Sequence, residues 1–165
     1  MKGCTRRLSI LLAAAISTPG CAAEQGQLPT AEELSGLYGG DAELRMNGNV
    51  VDVEVLQDPG QIRHGGTLWA KVGPYIFLFS PQTQEVFERF PAVAAVRVRT
   101  FANRAQLAEA MLRRDELNSV TWREANQRVA KARLEGTRNP GYLEALVRYG
   151  EDHTEFEYAP RYRED

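Results

Sequence analysis

The spacing of apolar residues along the first third of the chain predicts a short helix followed by a hairpin. Thr30 and Glu33 have the spacing of a capping box, which predicts a helix over 30–38. Period-two alternation of apolar and polar residues over 43–46 and 51–55 predicts two strands, with Asn47-Gly48 as the turn between them. The period therefore changes from helical to extended near residue 40.

Residues 58–79 predict a loop and then a second strand pair. Asp58-Pro-Gly60 opens a loop that reaches Gly65-Gly66, and apolar residues over 68–72 alternate with Trp69 and Lys71. Gly73-Pro74 is a turn signal, and the apolar run 75–79 is typical of an inner strand covered on both faces. On this interpretation Trp69 is either an exposed interface anchor or a core residue under a second layer.

The remaining sequence alternates between helical and extended patterns. Ser80-Pro81 predicts the start of a helix that ends near Pro91, and the alternation over 96–99 predicts a strand. Residues 103–114 are compatible with a helix by propensity or with a further strand. Helices over 121–136 and 139–150 and a final strand over 154–158 follow.

Together these elements predict one α+β domain over residues 30–165. We expect an antiparallel-rich sheet of five or six strands, with three or four helices packed against it. The length of this segment is ordinary for a single domain with its own core.

The amino end has the layout of a secretion signal rather than of a folded element. Lys2, Arg6 and Arg7 precede the apolar run Leu8–Ile16, which at nine residues is too short to span a bilayer as a helix. Small residues follow up to Cys21. We therefore divide the region into a signal peptide, 1–20, and a small, polar tether, 21–29.

Residues 18–21 resemble the lipobox of bacterial lipoproteins, which Gly20 and Cys21 match and from which Thr18 and Pro19 depart. The resemblance implies that Cys21 carries a thioether-linked diacylglycerol as the new N-terminus, a membrane anchor strengthened by each buried methylene. The residue after Cys21 is alanine and not aspartate, which by the same resemblance implies the periplasmic face of the outer membrane. The alternative is cleavage two or three residues later and a secreted or soluble periplasmic protein.

Charge and cysteine content narrow the function. The chain has 20 Lys+Arg and 22 Asp+Glu. The loss of three basic residues with the signal leaves a formal charge of about −5, which argues against nucleic-acid binding. Cys4 leaves with the signal, and if Cys21 is acylated the predicted mature domain has no free thiol and no disulfide. No cofactor motif is present, and we expect none to be bound.

Two histidines and their neighbours are the candidates for metal or acid–base chemistry. Glu151, Asp152 and His153 form the densest group of ligand-type side chains, but their spacing matches no helical metal motif. A catalytic zinc takes three protein ligands, so His64 or a distant carboxylate would have to join them. The simpler interpretation is that His64 is exposed in a turn and that His153 packs at a helix–strand junction.

Arginines concentrate between residues 97 and 114, with Arg97 and Arg99 on one face of a predicted strand. They are suited to an anionic partner, to solvating a strand face, or to ion pairs with the acids near 151–157. The leading hypothesis is a non-enzymatic envelope protein that binds a protein or envelope component through its sheet face. The alternative is a small periplasmic enzyme or metal-binding protein that uses His64 and His153 with nearby carboxylates.

Overall fold

The computed structural model describes residues 26–39 and 42–163, apart from the side chains of residues 64 and 65. The strands of this part are β1 (Ala42–Asn47), β2 (Val50–Leu56), β3 (Ala95–Ala102), β4 (Ala105–Arg113) and β5 (Glu155–Tyr158). The helices are α1 (Ala31–Tyr38), α2 (Pro59–Leu78), α3 (Pro81–Arg89), α4 (Ser119–Glu135) and α5 (Gly141–His153), and a 3-10 turn, η1, spans Pro160–Tyr162.

The strands form one sheet in the order β1-β2-β3-β4-β5. Neighbours are antiparallel except β2 and β3, which run parallel because α2 and α3 connect them. The predicted α+β domain with an antiparallel-rich sheet is confirmed. The described chain holds five helices rather than three or four, since the predicted second strand pair is a helix.

Helix α2 occupies the segment predicted as a loop and two strands, so that prediction was wrong. The helix packs between β3 and β4 on one side and α5 on the other. From Trp69 to Leu78 it is therefore buried on nearly every side, whereas Gln61 and Arg63 of its first segment are exposed. A segment that is apolar all round lacks the one-sided stripe that reveals a helix in a sequence. Two helical segments meet at Gly66, where φ is 68°, and Pro74 lies inside the second.

The supposed turn glycine of this segment, Gly73, is a point of close packing. A Cβ built on Gly73 would lie 1.5 Å from the side-chain nitrogen of Gln57 and 3.1 Å from Cγ2 of Thr100. Gly150 is similar, because α5 continues to His153 instead of ending there, and a Cβ on Gly150 would lie 2.3 Å from the Tyr75 ring. Both glycines let elements approach closely, which their sequence context did not reveal.

Both hairpins have two-residue turns. Asn47 still pairs with Val50, so the first turn is Gly48-Asn49 rather than Asn47-Gly48, with Gly48 at φ 62°. The second turn, Asn103-Arg104, resolves the open question over 103–114 in favour of a strand, β4. Asn103 holds a positive φ of 56° there, which asparagine tolerates better than most residues.

Helix boundaries elsewhere follow local hydrogen bonds. The Thr30–Glu33 capping box is formed as predicted, with Glu33 accepting from the Thr30 backbone and hydroxyl. Helix α4 begins earlier than predicted, because Asn118 caps it and Thr121 is its third residue.

The core lies on one side of the sheet only. Valines of β2 and β3, Val51, Val53, Val96 and Val98, are fully buried there against the helices. The alternate residues of the same strands point the other way. None of the described helices packs over that second side, which we call the outward face.

Candidate functional site on the outward face of the sheet

The register of the central strands brings opposite charges together on the outward face. Asp52 and Glu54 of β2 pair with Arg97 and Arg99 of β3 in the parallel ladder. Arg99 in turn pairs with Glu109 across the antiparallel β3–β4 ladder. Because side chains alternate along a strand, all five project from the same side.

These five side chains form a continuous chain of ion pairs across three strands. Arg99 Nη2 lies 3.5 Å from Glu54 Oε1 and 3.1 Å from Asp52 Oδ2. Arg97 Nε lies 3.5 Å from Asp52 Oδ1 and 3.9 Å from Glu109 Oε1. Asp52 is therefore shared by both arginines and is the centre of the network.

The network combines a buried acid with partly exposed bases. Asp52 is only 5% exposed, whereas about a quarter of each arginine side chain, Arg97 and Arg99, remains accessible. Asp52 Oδ1 and Arg99 Nε nevertheless lack a hydrogen-bond partner. The charges are compensated although the hydrogen bonds are incomplete. Removing one member of this network should therefore cost more stability than breaking an exposed ion pair.

The outward face continues to both edges of the sheet. On β1, Arg45 Nη2 lies 3.2 Å from Glu43 Oε2. At the β5 edge, Arg163 Nη2 donates to Glu157 Oε1 at 2.6 Å. Glu155 has no ion pair within the described residues, and it lines a depression of about 300 Å³ with Arg97, Glu109, Met111, Phe156 and Glu157. The β5 end of the face therefore carries uncompensated negative charge.

The sequence identified Arg97 and Arg99 but not their partners. They pair with Asp52, Glu54 and Glu109, and not with acids near 151–157. Asp52 was missed because its burial depends on the parallel pairing of β2 with β3. The alternation of acids with valines in β2 placed it on a polar face, but nothing local indicates which strand lies beside it.

Two other arginines of the 97–114 cluster have structural partners. Arg113 Nε lies 3.8 Å from Asp115 Oδ1. The Arg114 guanidinium donates to the carbonyls of Phe87, Phe90 and Val93 at the end of α3, and burial lowers its pKa. Arg114 thus satisfies carbonyls that a helix end leaves unpaired.

Trp69 does not lie on a sheet face. It belongs to α2 and is 6% exposed, so the premise that it shares an exposed strand face with Lys71 was wrong. Lys71 is buried as well, with its ammonium 5.4 Å from the centroid of the Tyr158 ring. The interface anchor proposed at Trp69 is a core residue.

The candidate metal ligands near the end of α5 diverge. Glu151 accepts a hydrogen bond from the Tyr158 hydroxyl at 3.0 Å, and Asp152 is exposed. His153 Nδ1 lies 3.5 Å from Glu116 Oε1, and its ring packs on Tyr149 at the predicted helix–strand junction. No group of three His, Cys, Asp or Glu side chains in the described residues is placed to hold a metal.

Two predictions concern atoms that the structure does not describe. His64 falls within α2, but its side chain lies outside the described part, so a shared site with His153 stays a prediction. The signal, Cys21 and most of the tether also lie outside the described residues. Within those residues no helix has both the length and the apolar content needed to cross a membrane.

A hydrogen-bonded tyrosine pair holds β5 to the core and was missed by the sequence. The hydroxyls of Tyr75 and Tyr158 are 2.6 Å apart, and Tyr158 also donates to Glu151. Burial raises the pKa of both hydroxyls. The pair could not be predicted because the apolar run 75–79 predicts a strand, whereas Tyr75 lies in α2. The pair fixes the position of β5, and with it the acidic end of the outward face.

Comparisons of the chain with protein-family models, with curated proteins and with solved structures found no match.

Proposed function

We propose that this protein is an exported envelope protein with a non-catalytic binding role, anchored through an acyl group on Cys21. Its place is the periplasmic face of the outer membrane, and its partner is an envelope protein that docks on the outward face. One observation supports the docking surface most directly. A connected network from Glu54 to Glu109 spans three strands on a side of the sheet where no described helix packs.

The dimensions of the outward face suit a protein partner better than a small molecule. Five strands at about 4.8 Å spacing and about six residues at about 3.3 Å give a surface of roughly 24 by 20 Å. A planar area of about 480 Å² lies below the roughly 800 Å² that each partner of a standard interface buries, and in the range of weak, transient complexes. We therefore expect a reversible rather than a permanent complex.

The ion-pair network prepares this surface for binding. Arg97 and Arg99 are already restrained by their carboxylates, so docking immobilises little additional side-chain freedom. Asp52 Oδ1 and Arg99 Nε are buried, so they belong to the base of the network, and the exposed parts of the two arginines are what a partner would contact.

Charge complementarity indicates the partner's chemistry. Glu155 is unpaired among the described residues, and it lies beside Glu109 and Glu157 around the depression at the β5 edge. A lysine or arginine of the partner placed in this depression would compensate that charge. The expected partner thus presents a basic residue opposite β5 and mixed charges opposite β2 and β3.

Site-specific crosslinking in the native envelope tests the docking surface. A photoreactive amino acid replaces Arg45 or Glu155 at the two ends of the outward face, and Arg123 or Arg138 on the helical side as matched exposed controls. We expect both face positions to give one adduct of the same size and the controls to give none. Glu155→Lys should weaken that adduct, while Glu135→Lys on α4 should not. Equal adducts from face and helical positions would contradict the proposal.

Labelling with a clickable palmitate tests the anchor independently. The natural chain should incorporate the label, and Cys21→Ser should abolish it, because the thioether requires the sulfur. An unlabelled natural chain would favour the secreted alternative, and persistent labelling of Cys21→Ser would exclude Cys21 as the acceptor.

A further inference from the structure

Three arginines from distant parts of the chain meet in one groove at the end of the sheet. Arg63 comes from the first segment of α2, Arg104 from the β3–β4 turn, and Arg161 from η1. They line a concavity of about 560 Å³ together with Tyr162 and short apolar side chains. We call this the arginine groove.

The groove is positively charged without internal compensation. No carboxylate lines it, and none of its three arginines forms an ion pair within the described residues. Arg163, two residues beyond Arg161, shows the contrast, because it is paired with Glu157 at 2.6 Å. Like charges gathered in a concave surface raise the local potential, and an anion there would relieve their repulsion.

The arginines are positioned by different local constraints. The Arg161 guanidinium lies 4.7 Å from the centroid of the Tyr162 ring, a cation–π distance. The Ala159 amide donates to the Leu107 carbonyl, which fixes the start of η1 on β4. Arg104 projects from a two-residue turn, and the Asn103 conformation defines that turn. Arg104 and Arg161 are therefore held on hydrogen-bonded backbone, and Arg63 reaches the groove from the first segment of α2.

We propose that the arginine groove binds the phosphate groups of an anionic ligand. Guanidinium groups present planar pairs of N–H donors that match phosphate oxygens, and arginine is preferred over lysine where such bidentate recognition is needed. The groove is shallow and open to solvent, and three arginines around it supply more donors than a single phosphate needs. The ligand class is thus a compound with two or more phosphate charges, or a phosphate within a larger headgroup.

The groove lies at the opposite end of β3 from the described part of the tether. The tether enters the domain at Gly26, where a Cβ would lie 3.1 Å from the Ala92 nitrogen, just before β3. The groove lies beyond the other end of β3, about 26 Å away along eight residues. The groove therefore lies about one strand length from the point where the described part of the tether meets the domain, and vesicle flotation distinguishes a lipid headgroup from a free phosphate compound.

Calorimetric titration of the purified full chain with tripolyphosphate tests the binding site. The test variant combines Arg63→Ala, Arg104→Ala and Arg161→Ala. The matched control combines Arg123→Ala, Arg138→Ala and Arg148→Ala, three exposed arginines of the helical side with the same total charge. We expect the test variant to bind at least about a hundredfold more weakly than the natural chain, and the control to bind within about threefold of it.

Citrate and vesicles distinguish the ligand classes. Citrate is the comparison for phosphate preference, because its carboxylates can also form bidentate pairs with arginine. Tripolyphosphate binding at least about tenfold tighter than citrate would support a phosphate site, and equal binding would overturn the phosphate assignment. Flotation with phosphatidylglycerol and phosphatidylcholine vesicles should show no difference between test and control variants if the phosphate is not a lipid headgroup. A difference confined to phosphatidylglycerol would assign the phosphate to a headgroup instead. Equal binding of tripolyphosphate by test and control variants would overturn the proposal, whatever the result of palmitate labelling.

Discussion

The outward face and the arginine groove both concentrate arginine, but they treat the charge in opposite ways. Arg97 and Arg99 form ion pairs with three carboxylates in all. The one that contacts both arginines, Asp52, is almost completely buried. Arg63 and Arg104 have no ion pair among the described residues. Arginines that are compensated within the fold stabilise it and give a restrained surface for a protein partner, whereas uncompensated arginines in a concavity are available to a small anionic ligand. The residue type alone does not distinguish these roles.

The largest expected effect on stability comes from the ion-pair network of the outward face. Asp52→Asn removes the buried carboxylate that Arg97 and Arg99 share and leaves each arginine with only its longer contact, to Glu109 or Glu54. We expect the free energy of unfolding to fall by about 2 to 3 kcal/mol. Urea unfolding measures this change. Glu43→Gln, which breaks the exposed pair with Arg45, should cost less than about 0.5 kcal/mol. Equal stabilities of Asp52→Asn and Glu43→Gln would remove the difference between central and peripheral pairs.

The next effect concerns the support of β5, which carries the acidic end of the outward face. Tyr158→Phe removes hydrogen bonds to Tyr75 and Glu151 and should cost about 1 to 2 kcal/mol. Burial raises the pKa of both tyrosines above the usual 10.0, so the folded chain holds their protons more tightly than the unfolded chain does.

The tyrosine stabilisation is therefore complete below about pH 10 and declines as the pH rises further. Urea midpoints measured from pH 8 to 11 should fall above pH 10, with a shallower decline in Tyr158→Phe because one titrating hydroxyl is gone. Parallel declines in the two chains would contradict this account of β5.

A smaller effect is expected at the turn that positions Arg104. Asn103→Gly relieves the positive φ at this position and should raise stability by up to about 1 kcal/mol, while Asn103→Val should lower it. Thermal unfolding of the two variants measures the difference. A more stable valine variant would show that the turn is not constrained as described.

The smallest effect on stability belongs to the groove arginines themselves. Arg104→Ala should change the free energy of unfolding by less than about 0.5 kcal/mol, because the side chain is exposed and has no ion pair in the described chain. Arg99→Ala, by contrast, breaks contacts with Asp52 and Glu54 and should cost more. A loss with Arg104→Ala as large as that with Arg99→Ala would abolish the distinction between the two regions.

The sequence correctly predicted elements that are apolar on one side only. The prediction was wrong for α2, whose apolar residues surround the helix axis. The capping box at Thr30 and the alternation around Val96 are local signals, and both elements form as expected. Helix α2 is covered by the sheet and by α5, so its apolar residues surround the axis, and Gly73-Pro74 has the composition of a turn. Burial on all sides removes the period from which a helix is recognised.

The two arginine regions were predictable to different extents for a related reason. The alternation of Arg97 and Arg99 placed them correctly on one face of a strand. Their partners depend on which strand lies beside β3, and the parallel β2–β3 pairing is a property of the topology. The arginine groove combines positions 63, 104 and 161, which only the folded chain brings together.

Thermal unfolding with and without tripolyphosphate tests the contrast between the two regions in one measurement, because a ligand of the folded state raises the apparent Tm. The variant with Arg63→Ala, Arg104→Ala and Arg161→Ala should keep the natural Tm without ligand and lose the ligand-induced increase. The variant with Arg97→Ala and Arg99→Ala should have a lower Tm without ligand and retain the increase. The opposite pattern, with stability lost from the groove variant and ligand response lost from the sheet variant, would contradict the account.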